Sequence, residues 1–312
     1  MNPPLLNAAQ RAGAAALPFR VGVDGGGTGT RVRLQAASGR PLGQGTAGPS
    51  GLALGTAPAW QHIEQAIADA FSSAGLPGAP AATVALALGL AGAEVSAWRA
   101  DFLAANPGYA LGLLENDGIT QLAGAHGGRP GIVVSAGTGA VAAARYADGR
   151  MRRCGGWGWP AGDEGAGAWL GLQAVGALQQ ALDGRAPSGP LVAAVAGALG
   201  PAAVGVQTWS AQAGQNACAQ LAPLVFDAAG QGDAQAEALL QTAATELARL
   251  ADALSTDSDA ASALALPIVL NGSIGTRLAA RWPLALRTRL VSPQGDSADG
   301  ALLLLRGVLD GP

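Results

Sequence analysis

Residues 20–36, RVGVDGGGTGTRVRLQA, carry the pattern on which the fold turns. Val21 and Val23 alternate with smaller residues into a glycine turn, and Val32 and Leu34 alternate with arginines out of it, which is the period of strand, turn and strand. Residues 134–150, VSAGTGAVAAARYADGR, lie on residues 24–40 without a gap, Thr28 meeting Thr138. Gly27, Gly29, Ala37, Gly39 and Arg40 then meet Gly137, Gly139, Ala147, Gly149 and Arg150. Both segments read as strand, Gly-Thr-Gly turn, strand and a Gly-Arg hairpin tip, the signature of a duplicated domain. Chance alignment is the alternative in a chain with 48 glycines in 312 residues.

Around these hairpins, strands alternate with helices, an α/β architecture. Trp60, Ile63, Ile67 and Phe71 recur at helical spacing between Pro58 and Ala74, and residues 82–90 (ATVALALGL) form the continuous apolar run of a buried central strand. Tyr109–Leu114 reads as a strand, and Asn116 or Asp117 caps the helix that runs on to His126. Downstream, Glu164–Leu182 is expected to be a helix with Trp169, Leu172, Val175 and Leu182 inward. Ala236–Leu254 reads as a second helix, Pro267–Leu270 as a strand opening onto Asn271-Gly272-Ser273, and Ala298–Leu309 as a closing helix. Met1–Phe19 reads as a loose leader without the cationic start and long apolar stretch of a secretory signal.

Composition narrows the chemistry. A net charge of −3 argues against a nucleic-acid partner held by bulk positive charge, and no apolar run approaches the roughly 18 residues of a membrane span. All 18 basic side chains are arginine, which removes the lysine-bearing P-loop and every Schiff-base mechanism. Two cysteines (Cys154, Cys218) and two histidines (His62, His126) match no zinc spacing and point to a reducing, cytoplasmic compartment. The histidines read as solvated or capping groups, Cys154 as packing, and Arg152 and Arg153 as a solvated hairpin edge. No Gly-x-Ser-x-Gly elbow supports a hydrolase. Carboxylates, hydroxyls and backbone amides are left to do the work.

The first turn, Asp24-Gly25-Gly26-Gly27-Thr28-Gly29-Thr30, follows a buried strand and supplies such groups. Consecutive glycines let backbone N–H groups close on an anion, Thr28 and Thr30 offer hydroxyls, and Asp24 can hold Mg²⁺ directly or through water. A strand after the turn, where a dinucleotide fold would place a helix, argues against that fold. The second turn, Ser135-Ala136-Gly137-Thr138-Gly139, repeats the geometry without the acid. Two such turns facing each other would clasp a polyphosphate. The plain alternative is a pair of glycine-rich hairpins with an incidental aspartate.

Four segments resemble the BadF/BadG/BcrA/BcrD ATPase family, and within it the N-acetylglucosamine kinases: VGVDGGGTGTRVRL at 21–34, ENDG at 115–118, GIVVSAGTGA at 131–140 and CGGWGWPAGDEGAGAWLG at 154–171. LNGSIG at 270–275 and the DSADGALLLL ending add fainter support, so that the resemblance spans residues 20 to 309. It implies an actin-like ATPase fold, two ribonuclease-H-like domains with a cleft between them. The expected division is 20–118 joined by helix 298–309, against 119–297. It also implies ATP and Mg²⁺ as cofactors and an amino sugar, N-acetylglucosamine or glucosamine, phosphorylated at the 6-hydroxyl.

By the same resemblance Asp117 is the general base. Ser50, Asp117, Gly156, Trp157 and Asp163 line the sugar. Gly25, Gly26, Gly27, Thr28, Thr30, Gly137, Thr138, Gly139, Gly272 and Ser273 hold the nucleotide, and Asp24 serves the metal. The residues alone leave Asp117 open as a helix cap, Trp157 and Trp159 as packing aromatics, and Glu164 as the acid that starts the next helix. The chain departs from the family at Gly48-Pro49-Ser50-Gly51-Leu52, where the hexosamine kinases carry a sugar-reading Asn, and at Asn271, where Gly is commoner. An ATPase driving an electron-transfer or dehydratase partner through Cys154 and Cys218 is the alternative enzyme, and a nucleotide-dependent sugar sensor the non-enzymatic one. A homodimer stays open.

Overall fold

Every residue of the strand Val84–Leu90 is buried, and its large and small side chains alternate to serve two faces. This strand organises the first half of the chain. In the computed structural model, which describes residues 5–199, 203–255 and 266–310, that half comprises α1 (Ala8–Ala15), β1 (Phe19–Gly25), β2 (Thr30–Ala36), β3 (Pro41–Ala47), α2 (Thr56–Ser73), β4 (Val84–Leu90), α3 (Ser96–Ala104), β5 (Ala110–Glu115) and α4 (Asp117–His126). There follow β6 (Gly131–Ala136), β7 (Ala140–Arg145), β8 (Met151–Gly155), α5 (Gly167–Leu182), α6 (Pro190–Leu199), α7 (Ala203–Gln212), α8 (Gln215–Ala219), α9 (Ala222–Gly230) and α10 (Ala234–Ser255). The chain closes with β9 (Ile268–Asn271), α11 (Ser273–Leu278), α12 (Leu284–Arg287) and α13 (Ser297–Asp310).

The chain divides into two compact units. In the first, the sheet order is β3-β2-β1-β4-β5, with β2 antiparallel to its neighbours and β1, β4 and β5 parallel. Val84, Leu86, Leu88 and Leu90 meet Ile63, Ile67, Phe71 and Phe102 of α2 and α3 on one face. Ala85 and Ala87 meet Ala301 and Leu305 of α13 and Ala14 of α1 on the other. A strand covered on both sides has no polar face, which is why residues 82–90 read as an unbroken apolar run. In the second unit the order is β8-β7-β6-β9, again with one antiparallel hairpin partner and one parallel neighbour beside the central strand. Its core joins Ile132 and Val134 of β6 to Leu170, Ala174 and Leu178 of α5 and Leu240, Leu247 and Leu254 of α10. Both units are therefore ribonuclease-H-like α/β layers built on the same opening hairpin.

The register corrects the gapless repeat. Gly25 pairs with Thr30 and encloses four turn residues, whereas Ala136 pairs with Ala140 and encloses three. The offset that aligns β2 with β7 therefore slips by one in β1, and Ser135, not Val134, occupies the rung of Asp24: Asp24 pairs with Arg31 and Ser135 with Val141.

Several other expectations change. The division falls at Arg129/Pro130 and Val291/Ser292, not at 118/119 and 297/298. Helix α4 packs on α13 so closely that a Cβ at Gly300 would strike the Thr120 carbonyl, and the Thr120 and Ser297 hydroxyls share a hydrogen bond at 2.8 Å. The leader is not loose from residue 5 onward (residues 1–4 lie outside the described residues). Leu5 donates its N–H to Gly112, and α1 begins with a capping box between Asn7 and Gln10. Helix α5 starts at Gly167, leaving Glu164 exposed in the preceding turn. Leu172 and Leu182 point outward, because Leu170, Ala174 and Leu178 define the inner stripe. His126 is buried, not solvated, and His62 Nδ1 binds the Pro49 carbonyl at 2.6 Å. Among the described residues no single helix is long and apolar enough to cross a membrane.

Candidate active site

In the first unit the functional groups gather where the parallel strands end: Asp24 near the end of β1, Glu94 four residues past β4, and Asn116 and Asp117 directly after β5. The turn between β1 and β2 is closed by Gly26 N–H donating to the Gly29 carbonyl at 3.1 Å. Among the described residues the N–H groups of Gly27, Thr28 and Gly29 have no backbone acceptor, and Gly27 and Thr28 are exposed. Successive free amides of this kind form an anion-binding concavity. Asp24 accepts from Arg31 through Oδ2, at 3.2 Å from Nε and 3.0 Å from Nη2.

Gly25, Thr30 and Ser50 do different work from that expected. Thr30 and Ser50 are buried. Thr30 donates to the Gly48 carbonyl at 2.6 Å and its hydroxyl meets that of Ser50 at 2.7 Å. A Cβ at Gly25 would collide with Ser50, and Ser50 and Gly51 donate their N–H groups to the Gly26 carbonyl at 3.1 and 3.0 Å. These residues bolt the loop 48–51 onto the turn. With its hydroxyl turned inward, Ser50 acts as a brace, and Thr30 spends its hydroxyl on Gly48 and Ser50. Gly26 also spends its N–H inside the turn.

Asp117 opens helix α4 but does not cap it. Asn116 does, accepting the Gly118 N–H at 2.9 Å, while its own amide donates to Glu94 Oε2 at 2.7 Å. Asp117 Oδ1 accepts the same Gly118 N–H at 3.0 Å. Burial pushes the Asp117 carboxyl up to about 6, the charges of Asp24 and Glu94 push the same way, and the Gly118 N–H opposes them. That value suits a proton acceptor working near neutral pH.

In the second unit the shorter turn is closed by Gly137 N–H donating to the Gly139 carbonyl at 3.0 Å, leaving the N–H groups of Thr138 and Gly139 without a backbone acceptor among the described residues. Asp163, buried and at φ +66°, clamps it. Its Oδ1 accepts the Ala140 N–H at 3.0 Å, and its Oδ2 the Gln215 side-chain amide at 2.9 Å. A Cβ at Gly139 would sit 2.8 Å from that carboxylate, so glycine is what lets Asp163 approach. Gly156 (φ +67°) receives the Arg153 guanidinium on its carbonyl, and the neighbouring Trp157 is 87% exposed. Gly272, at φ +81°, packs against the Ala136 carbonyl, which sets Ser273 and α11 directly beside the Gly137 turn.

Glu94 and Gln215 escaped the sequence reading. Glu94 carried a usable signal, since groups just past the carboxyl ends of parallel strands are placed for ligands. Gln215 carried none, being 52 positions from its partner Asp163. Cys218 is buried, and burial pushes its thiol up.

A sequence model of the BadF/BadG/BcrA/BcrD ATPase family matches residues 21–304. The glucosamine kinase GspK of Vibrio cholerae is 31% identical over 286 residues, covering 91% of this chain and 95% of that protein. An N-acetylmuramic acid/N-acetylglucosamine kinase of Clostridium acetobutylicum is 29% identical over 54% of this chain and 56% of its own. Among solved structures, a Chromobacterium violaceum protein provisionally named an N-acetylglucosamine kinase superposes with a TM-score of 0.85 at 45% identity, covering 93% of this chain and 99% of that one.

Proposed function

The chain belongs to the BadF/BadG/BcrA/BcrD ATPase family, and from that premise we propose that it transfers the γ-phosphoryl group of ATP to the 6-hydroxyl of glucosamine or N-acetylglucosamine, with Asp117 as general base. It is an ATP:sugar phosphotransferase of the amino-sugar kinase type, as its relatives of full length are named. The observation that carries the finer reading is the carboxylate of Asp117. It is held at the end of β5, relieved of capping by Asn116, raised to about 6, and set in the field of Asp24.

Phosphoryl transfer asks little covalent chemistry of a protein; it asks for positioning and charge stabilisation. In the first unit the N–H groups of Gly27, Thr28 and Gly29 can donate to phosphate oxygens, and in the second unit those of Thr138 and Gly139 can do the same. Gly272 and Ser273 offer backbone to the nucleoside. Asp117 takes the proton of the sugar hydroxyl as its oxygen bonds to phosphorus and the bond to ADP breaks. Asp24 has the donor chemistry for Mg²⁺: a hard carboxylate whose Oδ1 has no hydrogen-bond partner among the described residues, with the exposed Thr28 hydroxyl in the following turn. Bound there, the ion would neutralise phosphate charge. Trp157 offers an exposed aromatic face for the apolar side of a sugar ring, and Asp163 fixes both its loop and the phosphate turn. ATP as donor and two free thiols fit the cytoplasm.

ADP release across glucosamine, N-acetylglucosamine, N-acetylmuramic acid and glucose, with product analysis of the phosphorylated carbon, tests this reading. A sugar-dependent release that is strongest with an amino sugar is expected. Release indifferent to every sugar would overturn it.

A further inference from the structure

Helix α11, which leaves the Gly272–Ser273 turn, carries an arginine that no ion pair explains. The Arg277 guanidinium carbon lies 3.7 Å from the centroid of the Phe226 ring. Phe226, on α9, is buried, Arg277 is exposed, and among the described residues Arg277 makes no hydrogen bond or salt bridge. With a ring against one face of the plane, its exposure belongs to the opposite face and the donor edge.

The surroundings say what that face could meet. Gly167 N–H donates to the Gly137 carbonyl at 2.8 Å, and a Cβ at Gly167 would touch Ile274 and Ala219, both at 3.6 Å. The phosphate turn, the start of α11 and the end of α8, which leads into α9, thus converge on one point. Arg277 lies one helical turn beyond Ile274, a rise of about 5 Å. A ribose spans a distance of that order, and a nucleotide with its phosphates on the Thr138 and Gly139 amides and its nucleoside running along α11 would present its base to this arginine. We infer that Arg277, backed by Phe226, is the stacking platform for the base of the nucleoside triphosphate. Resting on the nucleotide role proposed above for this unit, the inference gives that site its base-binding residue. An arginine suits the task because its guanidinium is planar, weakly hydrated and stacks on aromatic faces, whereas a lysine offers only a point charge.

Calorimetric titration of the full chain with MgATP and with magnesium tripolyphosphate, which has phosphates but no base, separates stacking from charge. Arg277→Ala should weaken ATP about tenfold and tripolyphosphate less than about twofold, a contrast of the size expected for one desolvated cation–π contact. Arg277→Lys should recover little of the loss. Phe226→Leu, which keeps the position apolar, should reproduce the selective effect. Equal losses for the two ligands, no loss for either, or full recovery by lysine would each overturn the assignment. A wild type that binds ATP yet phosphorylates no sugar would instead sink the kinase reading and leave this test readable.

Discussion

Asn116 donates its side-chain amide to Glu94 at 2.7 Å while its carbonyl oxygen takes the Gly118 N–H at 2.9 Å. One asparagine thereby caps α4 and ties it to the loop after β4, and Asp117 is relieved of capping. As the base proposed above, Asp117 must be ionised to accept a proton, and its carboxyl stands at about 6. The kcat/KM profile, which reports the free enzyme, should therefore fall about tenfold per pH unit below about 6. Asp117→Asn, which keeps the shape, should lower kcat about 10²- to 10⁴-fold. Turnover within threefold of wild type would rule Asp117 out as the base.

The same substitution should stabilise the fold. Asp117 has a higher pKa folded than unfolded, so its ionisation weakens the folded state, and the cost appears as pH rises through about 6. At pH 8 Asp117→Asn should gain on the order of 2 kcal/mol in chemical denaturation, since Asn can still accept the Gly118 N–H. The gain should shrink below pH 6 and vanish below the unfolded value of 3.8. A gain of equal size at pH 4 would contradict the electrostatic origin.

Glu94→Gln keeps an acceptor for Asn116 and removes a charge. The acid limb of kcat/KM should move to lower pH, because a negative neighbour that raises Asp117 is gone. Glu94→Ala should shift the limb similarly and also lower kcat, since Asn116 loses its tether. An acid limb unmoved in both variants would show that Glu94 acts only through packing.

Thr30→Val strips the hydroxyl that holds the Gly48 carbonyl and Ser50. Unfolding by urea should register a loss of about 1–3 kcal/mol, the cost of a buried partner left unpaired. Loop 48–51 should loosen with it, raising the sugar KM more than the ATP KM. Equal stability and equal KM values would mean that the brace is redundant.

Trp157, 87% exposed, can be removed without disturbing the core. Trp157→Ala should leave Tm unchanged and raise the sugar KM several-fold, as expected for one lost stacking face worth about 1 kcal/mol. An unchanged KM would return Trp157 to the surface.

Local periodicity carried most of the fold. The hairpins, the buried β4 and the Asn116–Asp117 helix start are all written in residues adjacent in the chain, and each was legible. Errors arose where tertiary packing decides. The Gly-Thr-Gly match hid an extra residue in the first turn, because only strand pairing shows that Gly25 faces Thr30 while Ala136 faces Ala140. Leu172 and Leu182 share apolar character with Leu170 and Leu178, and only the packing of α6, α8, α9 and α10 around α5 selects which stripe turns inward. At the site, chemical type was readable and orientation was not: Thr30 and Ser50 offer hydroxyls in sequence, yet in space they spend them on each other.

The first unit is interrupted, with α13 supplied by the last residues of the chain and locked to α4 through Gly300 and the Ser297 hydroxyl. During synthesis, β1 through α4 emerge early but lack the helix that covers their second face until all of β6 through α12 has been made. The half that begins first is closed by a helix made after the whole of the second unit, so the helix that opens at Asp117 acquires its packing partner only then. A transcript cut short before Ser297 would consequently yield no partly competent enzyme.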